Sequence, residues 1–177
     1  MALAYDTSVE GQILLGTGPL NFNHTCTGSN LVLLVTIECA SGDNVTGVTY
    51  NAVAMTQLIK VLNPGGSEHY VYGLIAPATG ANQVSVSFSG TTYVRAVAAS
   101  YTGAKQSGLP DASHSKTDST SQSAITDSVT TIANNCWVVA STDTDDAVGM
   151  TAGTGQTMRN TTSVVLALGD SNADVTP

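Results

Sequence analysis

Gly169-Asp170-Ser171 follows the apolar run Leu166-Ala167-Leu168, so an apolar strand delivers a serine to a polar turn. A serine presented in that way becomes a nucleophile only with a base beside it and an acid to orient the base. No His follows Ser171 in the sequence, and no G-x-S-x-G elbow occurs. His24, His69 and His114 stand far apart, in three different local contexts. Only the fold could bring them together, so no catalytic residue and no His ligand is assigned from the sequence. His24 and His69 lie in strand-like stretches and read as hydrogen-bonded edge or surface residues.

The densest acidic run is Thr142 to Ala147, with Asp143, Asp145 and Asp146. Several carboxylates on one loop can bind calcium, and these three are the weak candidates for it. The spacing matches no complete calcium loop and no bidentate Glu follows, so a solvated loop is the expectation, with no cofactor. Tyr50, Tyr70, Tyr72, Tyr93 and Tyr101, with Trp137, could form an aromatic platform for sugars. Aromatics are only 5% of the chain, and most of these fall at apolar strand positions, which predicts packing in or near a core. Cys26, Cys39 and Cys136 show no C-x-x-C spacing and read as reduced thiols. A disulfide from Cys136 to Cys26 or to Cys39 is the alternative.

The elements that must position these residues are strands. Apolar residues recur with period 2, not 3.6. In 31–39, Leu31, Leu33, Val35, Ile37 and Cys39 share one face, while Val32, Leu34, Thr36 and Glu38 share the other. That second face turns polar, which predicts a central strand whose last residues reach water. Val84, Val86 and Phe88 alternate with serines, the pattern of a strand with one solvated face. Further strands are expected over 53–62, 67–76, 92–102, 135–142 and 163–169, with weaker ones near 12–15, 20–25, 45–50, 124–132 and 155–160. Gly, Pro and Asn turns separate them at the spacing of a sandwich or barrel. The expectation is a single domain over 1–177: an all-β, antiparallel two-sheet β-sandwich, jelly-roll or Ig-like. Leu33, Val35, Ile37, Val86, Phe88, Trp137 and Leu166 are expected to share one core. Residues 1–12 could form an extended N-terminal arm. Residues 111–123 are nearly devoid of apolar side chains and read as an exposed arm or long loop.

Composition narrows the partners. Charged residues are 10% of the chain, far below the usual quarter, while Ser and Thr together number 43. The surface is therefore hydroxyl-rich, with little electrostatic repulsion between copies. The net charge is −8, and the cations Lys60, Arg95, Lys105, Lys116 and Arg159 are scattered singly. Phosphate binding needs clustered cations, which argues against nucleic acid and against an anionic membrane surface. The N-terminus lacks the basic and apolar regions of a signal peptide, and no apolar stretch is long enough to span a bilayer. Synthesis in a cytoplasm is expected.

Four stretches carry a resemblance: HTCTGSNLVLLV at 24–35, VTGVTYNAVAMT at 45–56, YGLIAPATGANQVSVSF at 72–88 and AASYTGA at 98–104. Together they resemble a β-sandwich module found in phage-encoded virion structural proteins and in bacterial surface proteins. The resemblance covers residues 20 to 105 well and brings no catalytic residues with it. The separate likeness of Gly169-Asp170-Ser171 to the Gly-Asp-Ser esterases fails on fold, since those enzymes are α/β. In relatives of the sandwich module another strand tends to follow a segment like 170–177, which would leave an open sheet edge here. The resemblance implies a non-enzymatic virion protein, most of all a phage capsid decoration (cement) protein on the outer shell. Its partners would be other virion proteins such as the major capsid protein, and further copies of itself in a homo-oligomer, a trimer favoured. The alternative is a carbohydrate-binding or adhesive module of a tail fibre, head fibre or cell surface.

Overall fold

The structure is a computed structural model, and it describes residues 2–40, 44–120, 124–144, 149–160 and 165–177, with backbone alone at 13 and 14. The described residues form strands and no helix. The strands are β1 (Ala4–Thr17), β2 (Leu20–Cys26), β3 (Val32–Cys39), β4 (Val45–Tyr50), β5 (Val53–Ala54), β6 (Thr56–Leu62), β7 (Glu68–Ile75), β8 (Gly80–Phe88), β9 (Thr91–Thr102), β10 (Val139–Asp143), β11 (Thr157–Met158) and β12 (Leu166–Asp170). A five-stranded central sheet runs β1-β9-β3-β7-β6, and a four-stranded sheet runs β2-β8-β4-β5. The order of the remaining small sheet is β10-β12-β11. All pairings between strands are antiparallel, so the protein is all-β and sandwich-like.

The pleat of β3 explains the layering. Leu33, Val35 and Ile37 point to one face, where they meet Val48 and Tyr50 of β4 and Val84 and Val86 of β8. Val32 and Leu34 point to the other face, where they meet Leu166 and Leu168 of β12. The small sheet therefore roofs the face of the central sheet that the four-stranded sheet does not cover. Trp137 and Leu166 belong to this second cluster, not to the core of Leu33, Val35, Ile37 and Val86. Alternation along β3 sends neighbouring residues to opposite faces, so two cores are required where one was expected. Nor do the last residues of β3 reach water: Thr36 is fully buried and Glu38 is 8% exposed, paired with Arg95 at 2.9 Å.

Several other expectations meet a different arrangement. Residues 4–12, read as an arm, are the start of β1 and are hydrogen-bonded to β9. At Gly11 an added Cβ would lie 2.5 Å from the Phe22 ring, so a side chain here would push β2 away from β1. No strand forms over 124–132, whose residues are mostly exposed. The last strand begins at Leu166 and is flanked by β10 on one side and β11 on the other. Its backbone groups are therefore paired on both sides, and β12 is not an open edge.

The two cores should behave independently. Leu33→Ala and Leu168→Ala should each cost about 2–5 kcal/mol in urea unfolding. Because they lie on opposite faces of the sheet, the double variant should sum the two losses to within about 0.5 kcal/mol. A coupling well above that would show a single shared core.

Candidate functional site

The sequence scatters its chemistry-bearing residues, and the fold gathers several of them where the small sheet meets the central one. β7 carries His69 and β10 carries Ser141 and Asp143, which the pairing of layers brings together. His69 Nε2 lies 2.8 Å from Ser141 Oγ and 3.1 Å from Thr36 Oγ1. Its Nδ1 lies 3.2 Å from Asp143 Oδ1, without the alignment of a hydrogen bond. Asn63 Nδ2 donates to the other carboxylate oxygen of Asp143 at 2.6 Å.

Serine, histidine and carboxylate thus follow one another in the order that acyl transfer uses. Sequence reasoning missed this set, because Ser141 stands inside an ordinary strand pattern with no elbow or glycine to mark it. Ser141 is held at the seam between the layers by two hydrogen-bond partners. Its Oγ packs directly onto Thr36 Oγ1, and Thr36 is fully buried on the central sheet. The hydroxyl is directed into the joint between two layers. The contacts give hydrogen-bond partners to the buried Thr36 and to His69 Nε2, and to the half-buried Ser141 and Asp143.

A second polar joint lies at the other end of the small sheet. Arg159 holds Asp170 in a fork, with Nε to Oδ2 and Nη2 to Oδ1 both at 2.7 Å. Asp170 is fully buried and also accepts from the Tyr101 phenol at 2.9 Å. Burial and the adjacent carboxylate push the Tyr101 phenol far above its ordinary value, so it donates at any working pH. The hydrogen bonds to Asp170 raise the Arg159 guanidinium as well, and its centre sits 4.0 Å over the Tyr5 ring. In Gly169-Asp170-Ser171, then, the aspartate is an ion-pair partner. Ser171 donates to Ala173 O at 2.8 Å and accepts from Val138 N at 3.2 Å, which makes it a turn residue.

His24 occupies a third buried position. Its Nε2 lies 3.0 Å from Ser100 Oγ, and Ser100 donates to Asp6 Oδ2 at 2.7 Å. Ser100 spends its one proton on Asp6, so His24 Nε2 carries the hydrogen and donates to Ser100. That leaves Nδ1 bare, buried and without a hydrogen-bond partner. Desolvation drives the imidazole down from 6.5 to about 4, against the opposing pull of the Asp6 charge. For Asp6 itself burial pushes upward, but hydrogen bonds from Thr27 and Ser100 outweigh it and hold the carboxyl below its ordinary value.

The remaining candidates disperse. His114 is exposed and pairs with Asp127 at 2.8 Å, so the three histidines do not converge. Asp145 and Asp146 lie outside the described residues, and Asp143 is already engaged by Asn63 and His69. Among the described residues no group of three His, Cys, Asp or Glu is placed to hold a metal. Tyr50, Tyr70, Tyr72 and Tyr101 are buried, and only Tyr93, at 42%, is exposed among the tyrosines weighed as a platform. Cys26, Cys39 and Cys136 are free thiols. The segment 111–120 is almost wholly exposed and lies beside 124–133, tied by Asp111 to the amides of Ile132 and Ala133 and by Lys116 to Thr126 O.

No protein-family model, curated protein or solved structure matches this chain. The fold therefore defines the class by itself: an all-β, sandwich-like protein whose buried polar groups fasten its layers.

His24 makes stability depend on pH in a calculable direction. Its folded value of about 4 lies below the unfolded 6.5, so between these limits the unfolded chain binds a proton that the folded chain refuses. Stability is full above pH 6.5 and falls as pH drops through about 4, by on the order of 2–3 kcal/mol from this group. Urea midpoints at pH 7 and pH 4.5 should differ less in His24→Gln than in the parent; an equal fall in both would remove His24 as the cause.

Proposed function

We propose that this protein is a non-enzymatic structural component of a virus particle, a decoration protein that docks on the outer face of a capsid shell. The observation that carries the reading is the segment 111–120, exposed and hydroxyl-rich, held to 124–133 by side chains rather than by a backbone ladder. Such a segment contributes little to either core and is available to lie across a neighbour. The hydroxyl-rich surface, poor in charged residues, supports the same reading, because the buried cores of interfaces are depleted in charged residues. A net charge of −8 suits an outer position, away from a packaged genome. The resemblance of residues 20–105 to virion sandwich modules points the same way.

In this reading the partners are the major capsid protein and further copies of the chain, with a trimer as the favoured assembly and no nucleic acid or membrane involved. β12 is paired on both sides, so the 111–123 segment is the better of the two contact surfaces that the sequence suggests. The serines bound into the layer joint and the turn support a protein without catalysis. The buried tyrosines weigh against a stacked aromatic platform for sugars.

The test is a variant lacking residues 111–123. It should keep its free energy of unfolding in urea to within about 0.5 kcal/mol, as surface changes do. It should also lose most of its co-sedimentation with particles, and its homo-oligomer should weaken in light scattering. In the parent the contact should bury more than roughly 1,000 Å², the area that separates specific interfaces from chance ones. Undiminished docking by the variant, or ester hydrolysis by the parent that Ser141→Ala or Ser171→Ala abolishes, would contradict the proposal.

A further inference from the structure

Lys60, Asn44, Glu68 and Tyr70 meet where the central sheet faces the head of β4. Asn44 immediately precedes β4 and is pinned from its own backbone: its N–H donates to Ser89 Oγ at 3.0 Å, and its carbonyl accepts from Ser89 N at 2.9 Å. Lys60 stands on β6, the edge of the central sheet, with Glu68 and Tyr70 on the neighbouring strand β7. Lys60 Nζ lies 2.8 Å from Asn44 Oδ1 and 2.9 Å from Glu68 Oε1. The Tyr70 hydroxyl donates to Glu68 Oε2 and lies 3.5 Å from Asn44 Oδ1. Glu68 is 9% exposed and Tyr70 1%.

This is more than an ion pair needs. An amine touches a carboxamide, a carboxylate touches the amine, and a phenol stands by the amide oxygen. Each partner is held by a different strand or by its own backbone bonds, so the amine and the carboxamide are presented to each other without a search. We propose that Lys60 and Asn44 condense into an intramolecular isopeptide bond that ties the edge of the central sheet to the head of β4, with Glu68 carrying the protons.

The step balances without a co-reactant. Glu68 takes a proton from the Lys60 ammonium, and the freed Nζ lone pair attacks Asn44 Cγ. The Nζ–Cγ bond forms and charge gathers on Oδ1, beside the Tyr70 phenol. Burial, and then the Glu68 hydrogen bond, push that phenol up to about 12, so it remains a donor. Glu68 hands its proton to Nδ2 and takes the second one from Nζ. The Cγ–Nδ2 bond breaks, and ammonia leaves and picks up that proton in water. Nothing is oxidised or reduced, and the carboxylate is the acid and base that such a transfer requires. Hydrogen bonds to Glu68 and Tyr70 hold the Lys60 ammonium above its ordinary value, so the neutral amine is scarce near pH 7. Condensation is therefore slow there and faster as pH rises. The groups facing the amine are Glu68 and Tyr70 from β7 and the Asn44 carboxamide from the opposite sheet.

Intact-mass spectrometry of the purified full chain, incubated at mildly alkaline pH, decides the matter. The main species should be lighter than the sequence mass by one ammonia, and tandem spectra should join the peptide containing residue 44 to the one containing residue 60. Lys60→Arg and Glu68→Gln should keep the full mass while circular dichroism shows them folded. Asn44→Asp should lose water instead and reach the same cross-linked mass. A folded parent that keeps its full mass would overturn the proposal, as would an ammonia loss that persists in Lys60→Arg.

Discussion

β3 is buried along its whole length and on both faces, and a strand in that position cannot stand without two covers. Its alternating apolar side chains remove water from the space above and below the central sheet together. One cover is the four-stranded sheet that completes the sandwich. The other is the small sheet β10-β12-β11, whose Leu166 and Leu168 sit over Val32, Leu34, Val97 and Ala99. The gain is hydrophobic, at roughly 25 cal/mol per Å² of apolar surface withdrawn from water.

Sealing both faces has a cost in polar groups. Thr36, Glu38, His69, Asp170 and His24 all lie where water does not reach, and each unpaired one would oppose folding. The structure answers with partners: Ser141 and Asp143 from the opposite layer for His69, and for Asp170 both Tyr101 from the central sheet and Arg159 from beside β11 in its own small sheet. Arg95 answers Glu38 within the central sheet, from the adjacent strand β9. The cross-layer bonds are directional, so they set how the roof sits on the sheet in a way that leucines alone would not. The same logic explains why residue types that suggest catalysis meet at this seam. Ser141, beside His69 and Asp143, is hydrogen-bonded to Thr36 and His69 across the seam between the layers.

Period-2 alternation made β3, β7, β8 and β9 legible, because each buries one or both faces along several residues. The two faces of β3 were legible as well, but not what covers the second one. Val32 and Leu34 could have faced a partner chain or a roof, and only the pairing of β12 with β10 and β11 decides it. The polar end of that face, Thr36 and Glu38, read as solvated because a lone sequence does not show Arg95 opposite Glu38 or Ser141 above Thr36. The segment 124–132, expected as one of the weaker strands, forms none; Ile125 and Ile132 stay exposed, with no sheet edge beside them among the described residues. Local pattern predicts a strand only when a neighbour completes its ladder. His69, Ser141 and Asp143 were beyond reach for the same reason, since their meeting depends on layer packing between distant stretches. For Lys60, Asn44 and Glu68 the sequence held no signal at all, because each reads alone as an ordinary strand or turn residue.

Amide hydrogen exchange resolved to single residues tests the doubly covered sheet most directly. Exchange is slowest where opening requires the most of the fold to give way. The amides of β3, and those of β9 and β7 beside it, should exchange more slowly than any others in the protein. The amides of β10 and β12 should be protected as well, through their seam to the central sheet. If β3 exchanges as fast as the edge strand β6, one of its faces is open to water, and the account of two covers on one sheet is wrong.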